Sequence, residues 1–184
     1  MKFLMYFLMI ASAMNCGSAQ QDESTETKKS TPEPVEQQDP EVEIGKLTKE
    51  NFLQEPHAAW FNPMYESYKP EEVALEEIKN NINDYEIKIF MGTWCSDSQR
   101  EVPKFLRLLE LSDYDMDRLE INGVTRNKTL PNEYEKSYDI IYVPTIIFLK
   151  DGEELNRFVE YPQQNFEQDI ADIVTGRDYK NSYE

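Results

Sequence analysis

A chain of 184 residues has room for one domain of ordinary size and not for two. With 36 acidic against 19 basic side chains and a formal charge of -17, it repels phosphate backbones and anionic headgroups, which excludes nucleic acid as a partner. Two cysteines and one histidine exclude a disulfide framework and leave little from which to build a metal centre.

In chain order, Lys2 is followed by an apolar run over residues 3–10, the length of a signal-peptide core and short of the ~20 residues that a spanning helix needs. Ala11-Ser12-Ala13 and then Cys16-Gly17 resemble a bacterial lipoprotein signal, in which small residues precede a cysteine that becomes the acylated N-terminus. Met14 and Asn15 depart from that pattern, and Ala11-Ser12-Ala13 also reads as a plain small-x-small cleavage site that would release the chain. Residues 1–16 are thus expected to be a signal peptide with Cys16 as its candidate lipidation site, placing the protein at the bacterial cell envelope and on a membrane through that anchor. If Cys16 carries lipid, Cys95 is the one free thiol; if it does not, a Cys16–Cys95 bond stays open. Residues 17–45 are mostly Gln, Glu, Asp, Ser, Thr, Pro and Lys, too polar to offset ordering entropy, and read as a flexible acidic linker. The folded domain is expected over 46–184.

Residues 48–52 and 58–68, aromatic-rich and broken by Pro56 and Pro63, read as a short helical or irregular lead-in. His57 has no cysteine or carboxylate cluster around it in sequence and reads as structural or surface. Pro70-Glu71-Glu72 opens a helix, with Val73, Leu75, Ile78 and Ile82 as its apolar stripe. Residues 85–90 are β-branched and aromatic, a strand, and run through Met91-Gly92-Thr93 into Trp94-Cys95. Residues 96–111 follow with Val102, Phe105, Leu106, Leu108 and Leu109 at helical spacing, so a strand feeds a helix with the cysteine at the junction. A strand at 118–124, a short acidic helix at 131–138, an apolar strand at 145–149, the turn Lys150-Asp151-Gly152 and a hairpin strand at 153–160 come next. A last helix shows Phe166, Ile170, Ile173 and Val174 on one face and Gly176 as its cap. The order predicts an α/β domain, a mixed central sheet flanked by helices on both faces.

Trp94-Cys95-Ser96-Asp97-Ser98 resembles the active-site motif of the thioredoxin superfamily, a tryptophan before Cys-x-x-Cys, with Ser98 in the place of the second cysteine. Pro103, eight positions after Cys95, stands where thioredoxins carry the proline of the active-site helix, and Val143-Pro144-Thr145 precedes a buried strand as their cis-proline loop does. The resemblance spans roughly residues 70–176 and is similar to that of thioredoxin-like lipoproteins from Bacteroidetes-type bacteria. It implies a thioredoxin-like fold, a cis bond at Pro144, Trp94 shielding the site, and a substrate peptide paired with the backbone of Val143 and Thr145. Independently, a cysteine in the first turn of a helix meets unpaired backbone N–H groups and the positive end of the macrodipole, which favour the nucleophilic thiolate. The polar neighbours Ser96, Asp97, Ser98 and Gln99 suggest solvent access, while the Asp97 carboxylate opposes the thiolate.

Two departures from that family matter. A serine at 98 neither attacks a mixed disulfide nor closes an internal one, and the residue six before Cys95, where thioredoxins often bury an aspartate, is Ile89. The expected function is therefore monothiol exchange on exported polypeptides or low-molecular-weight thiols, with Cys95 catalytic and Trp94, Ser96, Asp97, Ser98, Val143, Pro144 and Thr145 contacting substrate. The domain is expected to act as a monomer, with no cofactor and no metal. The second reading is a peptide-binding or chaperone module that kept the groove and lost the chemistry. A peroxiredoxin is disfavoured because Thr93 stands two residues before Cys95 where that motif needs three, and an iron–sulfur carrier because the loop is not Cys-Gly-Phe-Ser.

Overall fold

The computed structural model describes residues 41–184, so the expected signal segment, Cys16 and the linker up to residue 40 lie outside the described residues. The elements are β1 (Gly45–Leu47), α1 (Lys49–Phe52), α2 (Ala58–Ser67), α3 (Glu72–Asn81), β2 (Glu86–Met91), α4 (Ser96–Leu111), β3 (Leu119–Gly123), β4 (Thr145–Lys150), β5 (Glu153–Val159) and α5 (Phe166–Thr175). The segment read as a short acidic helix near 131–138 is a 3-10 helix, Tyr134–Tyr138.

The sheet has the order β1-β3-β2-β4-β5. β2 and β3 are parallel, which requires a crossover, and α4 supplies it. β4 runs antiparallel to both β2 and β5, the latter joined through a turn with Asp151 and Gly152 at positive φ. The sheet is therefore mixed, as its pattern of one crossover and one hairpin predicts. β1 was not legible: its three residues carry one buried apolar side chain, Leu47, and it pairs antiparallel with β3 through Gly45↔Gly123. The folded part thus reaches back past residue 46. Gly123 is required there, because a Cβ would lie 2.3 Å from the Glu43 carbonyl oxygen.

Strand alternation sorts the core into two. Ile87, Ile89 and Met91 of β2, Ile121 of β3, Ile146 and Phe148 of β4 and Phe158 of β5 join one cluster, to which all five α-helices contribute buried residues, among them Phe52, Phe61, Ile78, Phe105 and Ile170. Phe90, Ile147 and Leu149 point the other way and form a smaller cluster with Val124, Leu130 and Val143. The stretch 124–143, with Trp94 and Cys95, covers that side, and Tyr134 and Tyr138 of its 3-10 turn sit on Phe90 at 5.8 and 5.5 Å. The five α-helices thus pack on the first face, and among the described residues the second carries only the 3-10 helix Tyr134–Tyr138 where flanking helices were expected. Lys88 on the thin face pairs with its cross-strand neighbour Glu120 at 3.1 Å. Burial works against the Lys88 charge, but hydrogen bonds to Tyr134 and Glu120 outweigh it and raise the lysine above its usual range.

The expected stripe of α3 is corrected. Val73 is 74 % exposed, and the buried face runs through Ala74 and Ile78 toward Ile82. Ala74, Ile78 and Ile82 keep the i, i+4, i+8 spacing, so periodicity allowed two phases and the packing against α5 selected the one led by the smaller side chain.

Candidate functional site

β2 ends at Met91, the chain turns through Gly92-Thr93-Trp94, and Cys95 becomes the N-cap of α4 with extended backbone (φ -93, ψ 124). The Cys95 N–H donates to the Gly92 carbonyl and its own carbonyl accepts from Gln99 N–H, both at 2.9 Å, so the turn and the helix start are one hydrogen-bonded unit. The Cys95 thiol is half-buried and donates to the Val143 carbonyl at 3.2 Å, a contact across 48 residues of sequence. Val143-Pro144 is a cis peptide bond. The Pro144 carbonyl accepts from Glu160 N–H at 2.8 Å, and Thr145 Oγ1 donates to the Tyr142 carbonyl at 2.7 Å, which fixes both ends of that loop. Among the described residues the Val143 N–H has no backbone partner, leaving a donor where an extended peptide could pair.

Trp94 is half-buried; its indole N–H donates to the Val124 carbonyl at 3.1 Å, and the Arg126 guanidinium lies 5.7 Å from the ring centre. Gly92 makes room for it, since a Cβ there would sit 2.5 Å from an indole carbon. Ser96 is exposed, and half-buried Asp97 is paired with Arg100 at 2.7 Å. Arg100 also meets Glu101 at 2.6 Å; burial would lower the guanidinium, and its bonds to Glu101 and Asp97 win and raise it. Ser98 differs from the expected solvent-facing residue: it is 0 % exposed, and its hydroxyl oxygen accepts from Gly92 N–H at 3.2 Å. Buried there it braces the turn and presents no surface to a substrate. The side chains of Val143, Pro144 and Thr145 are also buried, so that loop offers its backbone.

Sequence reasoning missed Thr93 and Gln99. Thr93 Oγ1 donates to the Glu41 carbonyl at 2.5 Å and accepts from Glu43 N–H at 3.0 Å, tying the incoming chain to the residue before Trp94. Gln99 Nε2 donates to the Thr93 carbonyl at 2.7 Å. Neither has a local signal, because both act on backbone brought together by the fold. His57 is buried, with Nε2 3.5 Å from Glu43 Oε1. Among the described residues no group of three or more His, Cys, Asp or Glu is arranged to hold a metal ion, and no helix is long and apolar enough to cross a membrane.

A family model described as Thioredoxin matches residues 47–172. No curated protein matches the chain. Among solved structures, a protein of unknown function from Pseudomonas aeruginosa is similar at a TM-score of 0.56 and 16% identity, over 74% of this chain and 95% of that one. An HIV epitope-scaffold is similar at 0.55 and 16% identity, over 73% of this chain and 95% of that one. At that identity the likeness speaks to the fold alone.

Proposed function

The chain belongs to the thioredoxin family, and on that premise we propose that it is a monothiol exchange protein acting on exported polypeptides or small thiols. The observation that carries this reading is the half-buried Cys95 sulfur at the start of α4, 3.2 Å from the Val143 carbonyl beside Pro144. The Cys95 thiolate attacks one sulfur of a substrate disulfide; that S–S bond breaks, a Cys95–substrate disulfide forms, and the displaced sulfur leaves as a thiolate that takes up the proton. With Ser98 buried and bonded to Gly92, nothing in the helix competes for the adduct. Release comes when the substrate's second thiol, or an external low-molecular-weight thiol, attacks the substrate-side sulfur and frees Cys95.

Incubated with a small aromatic reporter disulfide at neutral pH, the Cys16→Ala protein is expected to gain one adduct that reductant removes, and the same protein with Cys95→Ser to gain none, by intact mass. A thiol that stays unmodified would end the exchange reading. A module that only binds peptides would instead show the same peptide affinity before and after Cys95→Ser.

The envelope setting is part of the same proposal, supported by the lipoprotein-like pattern of residues 1–17. Expressed in a bacterial host, the full chain is expected to fractionate with membranes and Cys16→Ala to leave them; equal partition of the two would remove the lipid anchor.

A further inference from the structure

α2 carries Ala59 and Pro63 four apart, and Trp60 and Met64 four apart, so the two pairs share one side of the helix. That side faces α4 across a shallow groove of about 260 Å³, open to solvent and bounded on its other side by Ser96, Gln99 and Arg100. Ser96 is the residue after Cys95, so the groove adjoins the helix turn that carries the reactive sulfur. Its volume falls below the roughly 300–1,000 Å³ of pockets that enclose a drug-sized molecule, and suits one large side chain.

Charge narrows the occupant further. Arg100 is matched by Asp97 at 2.7 Å and Glu101 at 2.6 Å, and the Gln99 amide is spent on the Thr93 carbonyl. The groove thus offers no uncompensated cation to the carboxylates of an anionic small thiol, and its α2 wall is apolar. A peptide added along an edge takes affinity from main-chain bonds and specificity from pockets for individual side chains; here the Val143 carbonyl meets the Cys95 sulfur at 3.2 Å, and Ser96, the next residue, lines the groove.

We infer that the groove between α2 and the first turns of α4 is a side-chain subsite, and that the substrate is an extended polypeptide with a large apolar residue close to its disulfide-bonded cysteine. This rests on the exchange reading above and selects polypeptides over small thiols within it.

The test uses short fluorescent peptides in which serine replaces the substrate cysteine, flanked on either side by Phe or by Ser, so that binding is read without a covalent bond. The Phe peptide is expected to bind the full chain about tenfold more tightly than its Ser counterpart, by fluorescence anisotropy. Met64→Glu, which puts a charge in the groove, and Ala59→Phe, which fills it, should each bring that ratio to within about twofold. Both positions are solvent-facing, and a thermal melt confirms that each variant is folded. No preference for Phe, or a preference that survives both substitutions, overturns the subsite. The reporter-disulfide reaction at Cys95 separates the two levels. A preference that holds in a protein whose thiol is inert removes exchange and keeps the subsite, whereas adduct formation without any preference keeps exchange and removes the subsite.

Discussion

Replacing Phe105 with Ala is expected to destabilise the domain by about 3–5 kcal/mol, the range for truncating a fully buried phenylalanine. Phe105 is 0 % exposed and projects from the middle of α4 into an aromatic junction. Its ring meets Phe148 of β4 at 6.0 Å and Phe166 of α5 at 6.1 Å, both near perpendicular, and Phe166 in turn meets Phe158 of β5 at 5.2 Å. One side chain therefore joins the Cys95 helix, the sheet and the last helix. Against a total stability of about 5–15 kcal/mol, such a loss leaves little margin. Denaturant unfolding should show the midpoint falling with an unchanged slope, and the melting temperature should drop by roughly 10–20 °C. Val73→Ala, at a position 74 % exposed, should stay within about 0.5 kcal/mol of the parent. A Phe105→Ala change below about 1 kcal/mol would contradict this account of the core.

Ser98→Cys is expected to convert the trapped mixed disulfide into a transient one. Positions 95 and 98 lie three apart at the start of a helix, where Cβ atoms approach to about 5–6 Å; a disulfide needs about 3.5–4.5 Å, a gap that a small shift of the non-helical N-cap residue Cys95 closes. The Ser98 side chain is fully buried, and a thiol in its place would be screened from external partners. Attack from within the chain has an effective concentration of millimolar or more, so the adduct lifetime should fall by at least about tenfold, and an internal disulfide between Cys95 and the introduced thiol should accumulate on oxidation. The cost is the bond now made by Gly92 N–H to the serine oxygen, about 1 kcal/mol, because sulfur is a weak acceptor. Ile89 bears on the size of the gain. It stands fully buried in a row with Ile121 and Ile146 across three strands, so the variant would have no carboxylate at that position to manage the proton of the new thiol. An adduct as long-lived as that of the parent would show that the two positions do not communicate.

These contrasts mark how far the sequence could be read. The β2–α4 junction, the helix that carries Cys95, the β4–β5 hairpin and the Gly176-ended α5 were all legible, because period, cap and turn residues are local properties of the chain. The cis bond at Pro144 agrees with the resemblance drawn from three landmarks. By contrast, periodicity left the phase of α3 open between Val73 and Ala74, since both choices keep apolar residues on one side; the neighbouring α5 decided it.

Composition and local pattern by themselves determined an acidic single-domain α/β chain with one cysteine at the mouth of a helix. Tertiary structure alone decided that β1 is a strand, that Ser98 turns inward to Gly92, that the Cys95 thiol meets a carbonyl 48 residues away, and that α2 walls a groove beside it. The physical reason is that each of these is a contact between segments distant in the chain. Three residues of β1 are too few to show a period, and a serine's polarity states no preference between water and a backbone amide until the fold supplies one.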